Sequence, residues 1–149
     1  MNLDAFVNKG NGFSEFLNKE AAMALKRYEP DIVILNKNRL NNTGTDIDGQ
    51  SFGDYSPYSV KIKQAKGQTT SHVTLKDTGM FQENIVLKEI DVNKFEVTSE
   101  DIKWQFGVIQ KQKYLKNTDN ALGLSQKDAD VISEKLAEDL VNVIAKYFS

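Results

Sequence analysis

The segment Ile85-Val86-Leu87-Lys88-Glu89-Ile90-Asp91-Val92-Asn93-Lys94-Phe95-Glu96-Val97-Thr98 decides the fold class. Both halves are rich in β-branched and aromatic residues, and the short connection Asp91-Val92-Asn93 between them reads as a turn, so the stretch predicts a β-hairpin over about 85–98. Helices are expected on both sides of it. Upstream, Ser14 can cap a helix whose apolar positions Leu17, Ala21, Ala24, Leu25 and Tyr28 recur at helical spacing, and Pro30 ends or bends it. Asp31-Ile32-Val33-Ile34-Leu35 has the composition of a strand. Pro30, however, suits the first turn of a helix, and Leu35, Asn36 and Leu40 continue the helical spacing, so a second helix is expected there. Downstream, Ser99 is expected to cap a third helix with Ile102, Phe106 and Ile109 on one face. The last helix, over about 126–148, is announced by Ser125-x-x-Asp128 and by Ala129, Ile132, Leu136, Leu140, Val143 and Tyr147. A second apolar line along it, Ala137, Val141, Ile144 and Phe148, is wider than a small sheet needs, which leaves the core or a neighbouring subunit to cover the remainder. The expected fold is α+β: a small antiparallel sheet packed with N-terminal helices and a long C-terminal helix, in a single domain over 1–149.

Composition narrows the chemistry. With 149 residues, 40% of them hydrophobic and 27% charged, the chain has the make-up of one ordinary globular domain. It has no cysteine and one histidine, His72, so disulfides, thiolate metal sites, cysteine nucleophiles and multi-histidine metal sites are excluded. The net charge is −2, and only Arg27 and Arg39 among 19 cations are arginine, which argues against base-specific nucleic-acid readout. The start, Met1 to Val7, lacks a basic region followed by an apolar run, and no window approaches 18 apolar residues, so neither a leader nor a membrane span is expected.

Residues 41–58 hold three glycines, a proline and many small polar residues, which is loop chemistry. Loops this long are usually functional or disordered, and Phe52, Tyr55 and Tyr58 argue against disorder. The stretch over about 41–72 is therefore expected to be an extended loop arm, with these three rings docking on a neighbouring subunit. Trp104 is a further interface candidate, although a core position is the simpler reading.

Three local motifs have chemical readings. Asp77-Thr78-Gly79 is the triplet of aspartic proteases, in which paired carboxylates share a proton and activate water. Here Lys76 stands directly before it instead of an apolar strand, so a structural turn is expected, with Asp77 capping backbone and Gly79 supplying positive φ. Asp46-Ile47-Asp48-Gly49 resembles part of a calcium loop, but with Gly49 at the sixth position both end ligands are missing, and a turn fits better. The third feature is charge: residues 61–76 contain Lys61, Lys63, Lys66 and Lys76 without an acid, and residues 103–116 contain Lys103, Lys111, Lys113 and Lys116, again without one. Such clusters contact passing DNA without reading its sequence, or an acidic surface of another subunit; the plainer alternative is a solvated face.

Taken in order, Asp48-Gly49-Gln50-Ser51-Phe52, Tyr55-Ser56-Pro57-Tyr58 with Lys61 and Lys63, Val73-Thr74-Leu75-Lys76-Asp77-Thr78-Gly79-Met80-Phe81 and Gly123-Leu124-Ser125 resemble the virion-morphogenesis and tail-completion (head-tail joining) proteins of tailed bacteriophages, in the version found in gut Bacteroidetes phages. That likeness covers roughly residues 40–135. The aromatic and proline-rich segment before the last helix in many members is replaced here by Tyr114 to Ala121. The resemblance implies a structural virion protein, made in the bacterial cytoplasm. It would form a homo-oligomeric ring at the neck or tail end, contacting portal or connector and tail proteins and, without sequence preference, packaged DNA. It implies no membrane partner. No catalytic residue, cofactor or metal is expected; the rivals are a hydrolase using Asp77-Thr78-Gly79 and a non-specific DNA-binding accessory protein.

Overall fold

In the computed structural model, which describes residues 3–91 and 94–149, the hairpin stands between helices as its sequence predicts. Strand β1 (Ile85–Asp91) pairs antiparallel with β2 (Lys94–Ser99), with Leu87 opposite Val97 and Ile85 opposite Ser99. Val92 and Asn93 of the expected connection lie outside the described residues. One face of the hairpin, carrying Ile85, Leu87 and Val97, packs inward on helix α2 (Glu29–Asn42). The outer edge of β1 is capped by side chains rather than by a third strand. The Leu87 N–H donates to Glu29 Oε2 at 2.7 Å, and the Lys26 ammonium donates to the Leu87 carbonyl at 2.8 Å and pairs with Glu29 at 3.1 Å. Backbone groups that would otherwise template another strand are thereby satisfied.

Helix α1 (Leu3–Arg27) begins well before the expected cap at Ser14, and Tyr28 separates it from α2, whose second residue is Pro30. Proline there gives up an N–H that has no helical partner in any case. Along α2 the buried residues Ile32, Asn36 and Leu40 recur every four positions, so a single line of the helix faces the interior. Ile32 belongs to an apolar cluster with Leu87 and Ile132; Leu40 belongs to a second one with Phe52, Val73, Phe81, Ile85 and Ile109. Asn36 sits between the two.

The C-terminal helix α6 (Gln126–Tyr147) is capped by Ser125, whose Oγ accepts from the Asp128 N–H at 3.2 Å, and it runs about 33 Å. It lies antiparallel to α1. Phe13 stacks near Tyr147 and Phe148 (ring centres 5.6 and 5.2 Å apart) at one end, while the Tyr28 hydroxyl donates to Asp139 at 2.6 Å toward the other.

Two expectations need correction. The stretch 41–72 is not an extended loop throughout: it contains helix α3 (Pro57–Ala65), with Ser56 as its N-cap accepting from the Ser59 N–H at 3.1 Å. The helix expected after Ser99 is one turn, α5 (Ile102–Gln105), led by Asp101, and Gly107 at φ +71° follows it. Consequently Ile102 and Phe106 are 65% and 72% exposed, and only Ile109 of that expected face is buried.

Candidate functional site: a lysine-rimmed groove

Segments far apart in sequence close around one groove of about 510 Å³, lined by Tyr55, the α3 side chains from Tyr58 to Lys63 that face it, Val73, residues 75–79, Asp101, Lys103, Ile109 and residues 112–115. Its floor is apolar, with Val73, Phe81 and Ile109 from the core beneath it. The loop walls are fixed by backbone pairing. Gly53 bridges to Leu115, and the Lys116 N–H donates to the Phe52 carbonyl at 3.0 Å. Gly53 has φ +92°, and a Cβ there would fall 2.6 Å from the Tyr114 carbonyl oxygen, so only glycine fits.

Of the rings expected on a docking arm, Phe52 is fully buried in the chain's own core, a correction to its role as an interface residue. Tyr55 is half-buried against the same cluster, and its hydroxyl accepts from the Thr74 N–H at 2.9 Å. Trp104 also takes the simpler position: its indole N–H donates to Thr98 Oγ1 at 3.1 Å and its ring lies 5.2 Å from Phe81. Tyr58 alone of the four stands out, 74% exposed on the groove rim, and Tyr114 joins it at 57%.

The two lysine segments, separate in sequence, converge here. Lys63 is the exception to a surface role. It is buried, donates to the Lys76 carbonyl and to Gln68 Oε1, and its ammonium lies 4.7 Å from the Tyr55 ring centre, so its charge is engaged internally as a strut in the groove wall. Lys66 and Lys103 both pair with Asp77, at 3.2 and 3.4 Å. Lys61, Lys76, Lys111, Lys113 and Lys116 are exposed and have no acidic partner among the described residues.

Gly79, at φ +91°, supplies the left-handed turn read from the sequence and opens the short helix α4 (Met80–Glu83). The carboxylate of Asp77, by contrast, does not cap backbone; it joins the end of α3 to α5 through the two lysines. The Lys66 ammonium, seconded by Lys103, holds the Asp77 carboxyl below its ordinary value. A carboxylate depressed in the folded state stabilises above its unfolded pKa of about 3.9, and that contribution is lost as pH falls through the lower folded value. Asp77→Asn is therefore expected to flatten the acid limb of the stability profile below about pH 4. At neutral pH it should lower stability by less than about 1 kcal/mol, since the pair is exposed. A melting-temperature series from pH 2 to 7 checks it; an unchanged acid limb would contradict the clamp.

Asp46 is buried, and its Oδ1 accepts from the Asp48 and Gln50 N–H groups at 2.9 and 2.8 Å, which closes the 46–50 loop as a turn with Gly49 at φ +79°. Among the described residues no cluster of three His, Asp or Glu side chains could hold a metal ion. Three features of this region carried no local signal in the sequence. His72 bonds the Asn41 carbonyl at 2.6 Å through Nε2, which fixes the proton there. Leu75, on the groove wall, holds φ +56° without being glycine. Asp101, at the back of the groove, is buried with one carboxylate oxygen unpartnered. Comparison with family models, curated proteins and solved structures finds no match for this chain.

Proposed function

We propose that this chain is a structural virion protein of a tailed phage, forming a ring at the neck or tail end that joins the head and connector to the tail. The observation that carries the reading is the convergence around one groove of two of the four segments on which the family resemblance rests. Tyr55, Ser56 and Tyr58 line it together with Leu75 to Gly79, while Phe52 and Val73 belong to the core beneath it. The shared pattern thus marks a built surface rather than scattered turns. The Asp77 side chain, tied to two ammonium groups, acts as a structural clamp, which favours this reading over a hydrolase built on Asp77-Thr78-Gly79. Tyr58 and Tyr114 are exposed at the groove, and aromatic side chains of this kind are enriched among the residues that dominate protein-protein affinity.

The test is native mass measurement of the purified chain, alone and with its connector partner. The expected result is a discrete multiple of the 16.8 kDa protomer in at least one of the two samples. A monomer in both, with no complex formed, would contradict the reading.

A further inference from the structure

We propose that the lysine-rimmed groove receives the outer face of α6 from a second copy of this chain, head to tail; the inference rests on the ring reading and names its subunit contact. Charge is strongly polarised in the molecule. Residues 51–79 and 101–116, which build the groove, hold eight lysines against three aspartates, a local +5 inside a chain of net −2, so the rest of the chain carries −7. Part of that acidity forms a stripe on α6.

One side of α6 is occupied internally: Ile132 and Leu136 pack in the core, and Asp139 receives the Tyr28 hydroxyl. The opposite side presents Asp130, Glu134, Ala137, Glu138 and Val141, spaced i, i+4, i+7, i+8 and i+11, all of them exposed. Glu134 and Glu138 have no cationic partner among the described residues. Ala137 and Val141, the latter 65% exposed, are the part of the second apolar line of α6 that the chain's own core leaves uncovered.

Groove and stripe match in kind. The groove offers unpaired ammoniums on Lys76 and Lys113 with the rings of Tyr58 and Tyr114; the stripe offers unpaired carboxylates with small apolar side chains between them. No residue of α6 lines the groove, so the two surfaces do not satisfy each other within one chain. A contact between different surfaces of identical copies is heterologous, and it repeats around a ring when the rotation closes.

The experiment uses the full chain and charge reversal on either surface: Lys76→Glu with Lys113→Glu, and Glu134→Lys with Glu138→Lys, with circular dichroism confirming that each variant is folded. Oligomeric state is read by native mass measurement. Each reversal alone juxtaposes like charges and is expected to weaken self-association by more than about tenfold. Mixing the two variants restores opposite charges at both contacts, and is expected to restore assembly with the two chains alternating. The four-fold variant is expected to assemble alone. A wild-type chain that is monomeric alone and with its connector overturns the ring reading and this contact with it. A wild-type oligomer that survives both reversals leaves the ring standing and overturns the contact, as does loss on groove reversal without rescue by the helix variant, which would give the groove to another acidic surface. Normal rings that fail only to retain DNA after groove reversal would assign the lysines to phosphate and overturn it equally.

Discussion

Phe52→Ala is expected to lower the stability of the isolated chain by about 3–5 kcal/mol, the cost of deleting a large aromatic from a site that cannot collapse. Phe52 is completely buried among Leu40, Val73, Phe81 and Ile109, and its backbone is held by the Lys116 N–H, so the loop cannot easily move in to fill the void. A loss of that size is a large share of the roughly 5–15 kcal/mol that holds a domain of this kind together. Urea unfolding measures it: the midpoint should fall with little change in slope. Tyr58→Ala is the contrast. That ring is exposed on the groove rim, so its removal is expected to change stability by less than about 0.5 kcal/mol and to weaken assembly instead. If Phe52→Ala left the monomer's midpoint in place and abolished the oligomer, the ring would belong to an interface after all.

Asn36→Leu is expected to cost about 2–4 kcal/mol although leucine suits a buried helical position, because it orphans several polar groups that cost roughly 1–3 kcal/mol each when unpaired. The Asn36 Oδ1 accepts from the Arg39 guanidinium at 2.7 Å and from the Gly123 N–H at 3.0 Å, and its Nδ2 donates to the Ile32 carbonyl at 2.9 Å. Arg39 in turn donates to the carbonyls of Thr45 and Ala121, so one side-chain pair ties α2 to the 45–50 loop and to the entry of α6. Burial lowers the Arg39 pKa, while the charges of Asp128 and Asp46 oppose the shift. Asn36→Asp keeps the oxygen that Arg39 and Gly123 use and is expected to fall between wild type and leucine. Chemical denaturation of the three proteins gives the order; a leucine variant as stable as wild type would mean that the network fixes geometry without stabilising it.

The elements legible in the sequence are those whose signal is local. The hairpin, α2 and α6 each combine a periodic apolar pattern with a turn, a proline or a capping serine, and their bounds fall close to expectation. The misses have physical causes. Ser56-Pro57 reads as loop punctuation in a glycine-rich stretch, yet the same pair is an N-cap followed by the residue best suited to the first helical position, which is how α3 begins. In α1 the capping side chain of Ser14 suggests a start there, whereas the helix begins earlier and runs through Gly10 and Gly12. It does so beside a tertiary contact, since Phe13 and Phe16 pack on the end of α6, and packing outweighs about 1 kcal/mol of propensity per glycine. The face expected of Ile102, Phe106 and Ile109 fails because Gly107 ends the helical turn before the stripe can repeat.

The groove is less legible than the fold because it is assembled from long-range neighbours. Both lysine clusters were visible, and so was the turn at Gly79. That Lys63 would be an interior strut, that Asp77 would clamp Lys66 to Lys103, and that the two clusters would share one rim all depend on contacts 11 to 26 residues apart along the chain. A burial pattern of period 2 or 3.6 says nothing of such contacts.

The most direct measurement of the central claim is a cryo-electron microscopy reconstruction of the head-tail junction in particles of a phage that encodes this chain. The expected result is density for the α1–α6 pair and the β1–β2 hairpin, repeated around the particle axis at the neck or tail end. Complete, infectious particles in which the chain is absent would contradict it.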